Sequence, residues 1–149
     1  MISIKIYDEE FLSKDLFSHF SGDANITING ENDKVINIHT SVHKTFIITL
    51  LHELLILYKE NKKFKISSFG NAKEYTFSLN GSKLNVKEID FFNKSKKNIS
   101  VPFDRFIDEL KMCMESYMNR IASRNPKAKQ NEDFIMIVNH VALLEKIKN

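Results

Sequence analysis

The histidines are the residues whose type and spacing could form a metal site. Two of the five histidines, His39 and His43, lie four residues apart and could share one helix face if a helix began early. Zinc needs at least a third protein ligand, for which His52 or His140 would be the candidates. No spacing fixes such a geometry, so we predict no metal site and no cofactor, and we expect these histidines to be capping or partly buried residues.

The sequence gives little indication of covalent catalysis or of phosphate binding through a glycine-rich loop. The pair His52-Glu53 begins a zinc-protease motif, but Ile56 stands where that motif requires its second histidine. Cys113 is the single cysteine and falls inside an apolar helical pattern, which favours an inert, partly buried thiol. The chain has 4 glycines and contains neither a phosphate-binding loop nor a Gly-x-Ser-x-Gly motif. We therefore predict no catalytic residue and no enzymatic activity.

Carboxylates also appear in groups that could do acid–base work. Four of them are expected on the outer face of a predicted helix, where a solvated surface is the ordinary interpretation. They are Asp104, Asp108, Glu109 and Glu115.

Charge is distributed unevenly along the chain, although the formal net charge is only +3. Residues 1–58 contain 4 lysines and 8 acids, whereas residues 59–97 contain 10 lysines and 4 acids. This division indicates two surfaces with different electrostatic partners, or two solvated faces without partners.

The elements that would position these side chains are predicted from hydrophobic periodicity. Residues from Val42 to roughly Lys59 form a helix that is apolar almost all round, which is typical of a buried central element. Alternating patterns predict strands at residues 2–6, 26–28 and 35–38 and three more between residues 63 and 91, and a short helix is expected at about 9–20. We predict a loop at 93–98, a linker at 127–131 and helices after Pro102 and Asn131.

These patterns predict one α+β domain covering residues 1–149, in the order βαββαβββαα. About five to six strands are expected to form an antiparallel meander sheet, packed against the central buried helix and the C-terminal helices. The last helix is expected to turn four side chains inward: Phe134, Val138, Val141 and Leu144.

Neither a membrane-spanning segment nor a secretory signal is predicted. The longest apolar stretch, residues 46–58, is too short to cross a bilayer and contains His52 and Glu53. The first ten residues lack a basic head followed by a long apolar run. We therefore expect a cytoplasmic protein without a membrane partner.

A lysine-rich sheet face is the candidate surface for contact with nucleic acid phosphates. The four lysines expected to point away from the core of the meander are Lys63, Lys65, Lys83 and Lys87. However, Phe64, Tyr75 and Phe77 alternate onto the opposite, core face, whereas sheets that read RNA expose aromatic side chains for stacking. Sequence-specific readout is therefore disfavoured, and weak phosphate contact stays open.

Three stretches in this order resemble immunity proteins of bacterial contact-dependent inhibition and polymorphic toxin systems. They are VHKTFIITLLHELLIL, FKISSFGNAKEYTFSLNGSKLNVKEI and VPFDRFIDELKMCMESYMNRI. The resemblance implies a non-enzymatic inhibitor that binds the C-terminal toxic domain of a cognate effector protein and blocks its active site.

Two surfaces of this chain are candidates for binding the toxin. Acids before the central helix could enter the basic cleft of a nuclease toxin. The candidate acids are Asp8, Glu9, Glu10, Asp15, Asp23, Glu31 and Asp33. The lysine face would instead engage a toxin of another chemistry, which the positive net charge favours. The second function that we carry forward is a nucleic-acid-associated accessory protein, and the third is a scaffold domain that self-associates through sheet edges.

Overall fold

The computed structural model describes residues 2–7 and 22–147. In these ranges the chain forms seven strands, two short 3₁₀ helices and three α-helices. The strands are β1 (Ile2–Ile6), β2 (Ala24–Asn29), β3 (Val35–Thr40), β4 (Phe64–Ser67), β5 (Lys73–Asn80), β6 (Lys83–Asp90) and β7 (Ser95–Pro102). The helices are α1 (His43–Glu60), α2 (Phe103–Arg124) and α3 (Glu132–Lys146), with 3₁₀ turns at Glu31–Asp33 and Pro126–Gln130.

The α+β class is confirmed, but the strands form two antiparallel sheets instead of one meander. The first sheet has the order β1-β2-β3 and the second has the order β4-β5-β6-β7. Every pairing joins strands that are neighbours in sequence among those described. The predicted helix at about 9–20 lies outside the described residues.

The prediction of a loop at 93–98 is wrong, because β7 pairs with β6 from Ser95 onward. Its first four residues are exposed, and only Ile99 and Val101 are buried. An edge strand can carry solvated lysines on both faces, and these keep further strands from adding to the sheet. The polar composition that suggested a loop is therefore the composition of a protected sheet edge.

The central helix is confirmed as a core element. Its buried side chains include Phe46, Leu51 and Leu54, which are fully inaccessible. Asn61 ends this helix in the left-handed conformation (φ 51°), which asparagine adopts at lower cost than most residues. Helix α1 packs on α3 and on β4, so it joins the helical layer to the second sheet.

The two C-terminal helices follow the predicted patterns with one correction. Helical spacing predicts one apolar stripe on α2, and all of its residues are buried: Phe103, Phe106, Ile107, Leu110, Met114, Tyr117 and Ile121. Asn131 caps α3, because its side-chain oxygen accepts the Asp133 and Phe134 amides. Val138 does not point inward as predicted: it is 42 % exposed and Ile137 is buried in its place. The predicted linker at 127–131 largely corresponds to the second 3₁₀ turn, in which Ala128 is buried.

The two sheets are joined where the turn after β2 meets the edge strand β7. A Cβ atom on Gly30 would lie 2.7 Å from the Ile99 Cβ and 3.2 Å from the Ser100 carbonyl oxygen, so only glycine allows this approach. The Gly30 amide also donates to the Lys34 carbonyl across the turn, at 2.7 Å. A side chain at position 30 would therefore force the two sheets apart.

Replacing Gly30 with alanine is expected to destabilise the fold by about 1–3 kcal/mol, the usual cost of forcing atoms into a packed contact. Urea denaturation measures this change. Asn29→Ala is the control, since Asn29 is an exposed neighbour on the same hairpin. Equal stability of the two variants would contradict the proposed junction between the sheets.

Candidate functional site

A groove of about 660 Å³ crosses the outer face of the second sheet. Its floor consists of side chains that alternate outward from β5, β6 and β7, on the opposite side of the sheet from the core. The floor residues are Thr76, Ser78, Asn85, Lys87, Ile89, Asn98 and Ser100. Most of them are short and polar, and the Ser100 hydroxyl bonds the Asn85 side-chain oxygen at 2.6 Å. A hydrogen-bonded sheet therefore supplies a fixed, polar binding surface.

The two walls of the groove are formed by different sheets. On one side stand Lys63, which precedes β4, and Lys65 of β4. On the other side the turn between β2 and β3 contributes Glu31, Asn32 and Lys34 from the first sheet. The groove therefore exists only because the two sheets meet.

Positive charge dominates this groove. The four lysines that line it are Lys34, Lys63, Lys65 and Lys87. Lys65 approaches Glu74 at 3.9 Å, and the other three make no ion pair within residues 2–7 and 22–147. In the sheet register, Lys65 lies opposite Thr76 and Thr76 opposite Lys87, so two strand spacings, about 10 Å, separate the two lysine backbones. Ammonium groups at this spacing, most of them unpaired, suit an extended ligand with several negative charges.

Lys83 and Glu31 come from the two competing sets of predicted site residues, and they bind each other. The Lys83 ammonium lies 2.9 Å from each carboxylate oxygen of Glu31. This pair links β6 to the turn that forms the groove wall. Of the predicted phosphate-contacting lysines, Lys63, Lys65 and Lys87 therefore line the groove, whereas Lys83 stabilises its edge.

The predicted acidic residues are not gathered on one surface in the described part of the chain. Asp23 lies 4.0 Å from His39, at the opposite end of the first sheet from Glu31. Asp33 is exposed in the turn, where its φ of 58° is in the left-handed region. Asp8, Glu9, Glu10 and Asp15 lie outside the described residues.

The histidines and Cys113 are placed separately. The buried His43 ring lies 2.9 Å from the Tyr117 hydroxyl and 3.0 Å from the Gly22 carbonyl, and the His52 ring packs edge-on against that of His140. Within residues 2–7 and 22–147 no three His, Cys, Asp or Glu side chains gather as metal ligands. Burial raises the pKa of the Cys113 thiol, which disfavours its nucleophilic form.

The aromatic residues of the second sheet occupy the face that the sequence predicts. Phe64, Tyr75 and Phe77 are all buried beneath it. A ligand in the groove would therefore contact lysines, hydroxyls and amides. None of the lining residues has an aromatic ring for base stacking.

An aromatic tip that the sequence patterns do not predict lies in the turn between β6 and β7, and we define it as Phe91 and Phe92. Phe91 is 59 % exposed and Phe92 is 84 % exposed. The tip directly continues β6, whose Ile89 lines the groove. Its signal in the sequence was the Phe-Phe pair between an aspartate and a lysine-rich run, a pattern that polar loops rarely contain.

Asp90 holds this tip in one conformation. Its carboxylate accepts the amides of Phe92 and Asn93, both at 3.0 Å, and the Asn93 side-chain NH₂ at 2.9 Å. These bonds lower the pKa of the Asp90 carboxyl, those from Asn93 most strongly. Beside it, burial and the Glu88 carboxylate raise the pKa of the Tyr75 phenol, so this hydroxyl stays protonated. The tip is thus a preorganised element.

No protein-family model, curated protein or solved structure matches this chain. No helix among the described residues is long and apolar enough to cross a membrane.

Asp90→Asn is expected to destabilise the protein at neutral pH and to have a smaller effect in acid. Because the folded-state pKa is lowered, the charged Asp90 stabilises the fold above the ordinary aspartate pKa of about 3.9, and this contribution is lost as the pH falls below it. Urea denaturation at neutral pH and well below the ordinary pKa measures the difference, with the exposed Asp33→Asn as control. A difference between wild type and Asp90→Asn that does not change with pH would contradict this role.

Proposed function

We propose that this protein is an immunity protein that binds the toxic domain of a bacterial effector and blocks that domain's active site. The family resemblance motivates this proposal, and the single observation that carries its binding mode is the groove with its unpaired lysines. In this mode the protein needs no reactive group of its own. Inhibition follows from a complementary surface that excludes substrate.

The groove favours an acidic surface on the toxin over a basic one. Lys34, Lys63 and Lys87 have no ion-pair partner in the described residues, so their charges are available to a ligand. Glu31, in contrast, already has a cation beside it. An acidic segment of the toxin would meet the lysine ammonium groups, while the floor hydroxyls and amides would bond its backbone.

The aromatic tip supplies an apolar anchor beside the electrostatic contact. Aromatic side chains that enter a pocket commonly carry much of the affinity of a protein interface, whereas surrounding charges mainly increase the association rate. Because Asp90 fixes the turn, little conformational entropy is lost when the tip is bound. The groove and the tip together would form one contact area on the toxin.

Reversing charge in the groove is expected to slow association with the toxin. Lys65→Glu combined with Lys87→Glu should lower the association rate at low salt by about tenfold or more, because steering depends on the summed field of the groove. The immunity function predicts that the reading frame immediately upstream encodes a large secreted protein. The C-terminal domain of that protein is the probe, and stopped-flow fluorescence follows its binding. Lys127→Glu combined with Lys129→Glu is the control matched in charge, since both lysines are exposed in the 3₁₀ turn before α3.

Two results would contradict this binding mode. An unchanged association rate at low salt would exclude the groove, and slower binding by Asp33→Lys would show that the toxin presents a basic surface instead of an acidic one. Failure of the upstream domain to bind the wild-type protein would contradict the immunity function itself.

Replacing Phe92 with serine is expected to act on dissociation. We expect the complex to dissociate about tenfold faster or more, because removal of a buried aromatic anchor typically costs about 2 kcal/mol. The thermal midpoint of the free protein should stay unchanged, since Phe92 is 84 % exposed. Phe69→Ser is the control, as Phe69 is exposed in the neighbouring turn. Equal dissociation rates for wild type and Phe92→Ser would exclude the aromatic tip from the interface.

The second candidate function is contact with nucleic acid phosphates, which the convergence of Lys63, Lys65 and Lys87 favours. Fluorescence anisotropy with a single-stranded RNA separates the two functions, because phosphate binding must weaken steeply as salt rises. Tight RNA binding at physiological salt that is lost in the Lys65→Glu, Lys87→Glu variant would support this second function over toxin inhibition.

A further inference from the structure

Helix α3 has an apolar face on the side away from the core that no residue of 2–7 or 22–147 covers. Its inner side buries Phe134, Ile137, Val141 and Leu144. On the opposite side three large apolar side chains, Ile135, Met136 and Leu143, are each more than 40 % exposed. Val138 is also exposed, but it borders a cavity between α2 and α3. A helix that is apolar on both sides is usually buried on both sides. The exposed outer face of α3 therefore indicates a binding surface.

The outer face is arranged symmetrically about its middle residue, Asn139, which is exposed. Ile135 and Leu143 lie four residues to either side of it, and Met136 and Ala142 lie three residues to either side. Glu132 and Lys146 lie seven residues away, at the two ends of the helix. Seven residues span about two turns, so both ends return to the same side of the helix as Asn139.

This symmetry is complementary to itself in one orientation. Where two identical helices cross antiparallel about a two-fold axis at Asn139, each residue faces its mirror position in the other copy. Ile135 then faces Leu143, and the two Asn139 amides can bond each other. In a parallel pair each residue would face its own copy, so like charges would meet at both ends.

The terminal charges make the antiparallel pairing favourable. Glu132 of one copy would face Lys146 of the other, twice by symmetry, and the two helix dipoles would oppose each other. Neither residue makes an ion pair within residues 2–7 and 22–147, whereas the adjacent Asp133 and Glu145 are paired with Lys44 and Lys111. The charged groups at the edge of the apolar face are thus the ones that remain available.

We propose that the outer face of α3 is a dimer interface, in which the α3 helices of two copies of this chain pack antiparallel about Asn139. The interface is independent of the groove, which lies on the second sheet. One helix pair buries less surface than a standard stable interface, so we expect a weak dimer that dissociates on dilution.

Sedimentation velocity on the whole chain tests this interface across a dilution series. The expected result is a concentration-dependent shift from the 17.4 kDa monomer to twice that mass. Leu143→Glu abolishes the shift, because it buries a carboxylate against Ile135 of the other copy, while circular dichroism reports an unchanged fold. Met112→Glu is the matched control, since Met112 is 67 % exposed on α2.

A charge swap distinguishes the antiparallel pairing from nonspecific hydrophobic association. Glu132→Lys and Lys146→Glu each weaken dimerisation about threefold to tenfold, because each loses two symmetry-related ion pairs. The combined variant restores the wild-type dimer. A monomer at every concentration would overturn the proposal, as would a dimer that survives Leu143→Glu or single charge variants that the combination does not rescue.

Discussion

The close contact between the turn after β2 and the edge strand β7 positions the two sheets relative to each other and thereby forms the groove. Without a side chain, Gly30 lets the first sheet approach Ile99 of the second. Two hydrogen bonds also join the sheets beyond this point. The Lys97 ammonium donates to the Val35 carbonyl, and the Tyr75 hydroxyl donates to the Asn37 carbonyl. The first sheet therefore has one position relative to the second, and its turn rises as a wall over the outer face.

Local sequence patterns predicted most of the elements because their determinants are local. Alternation of buried and exposed side chains indicated six of the seven strands, and helical periodicity indicated α1, α2 and α3. The strand β7 was missed, because the lysines and asparagine at its start are solvated as they would be in a loop. The division into two sheets was also missed. It depends on which strand edges meet, and no local pattern records that.

The groove could be predicted only in part for the same reason. Alternation in β4 and β6 correctly placed Lys65 and Lys87 on the face opposite the core. The contribution of Lys34 and the Glu31–Lys83 ion pair depend on contact between residues about 50 positions apart in sequence. A contact of this range in sequence depends on the whole fold. Local sequence patterns therefore assigned Glu31 and Lys83 to two different candidate sites.

Lysine footprinting would show directly whether the groove binds the proposed toxin domain. An amine-reactive reagent would label the protein alone and mixed with that domain, and mass spectrometry would compare the extent of labelling at each lysine. We predict protection of Lys34, Lys63, Lys65 and Lys87, with Lys127 labelled equally in both states. Equal labelling of the groove lysines in the free and bound protein would contradict it.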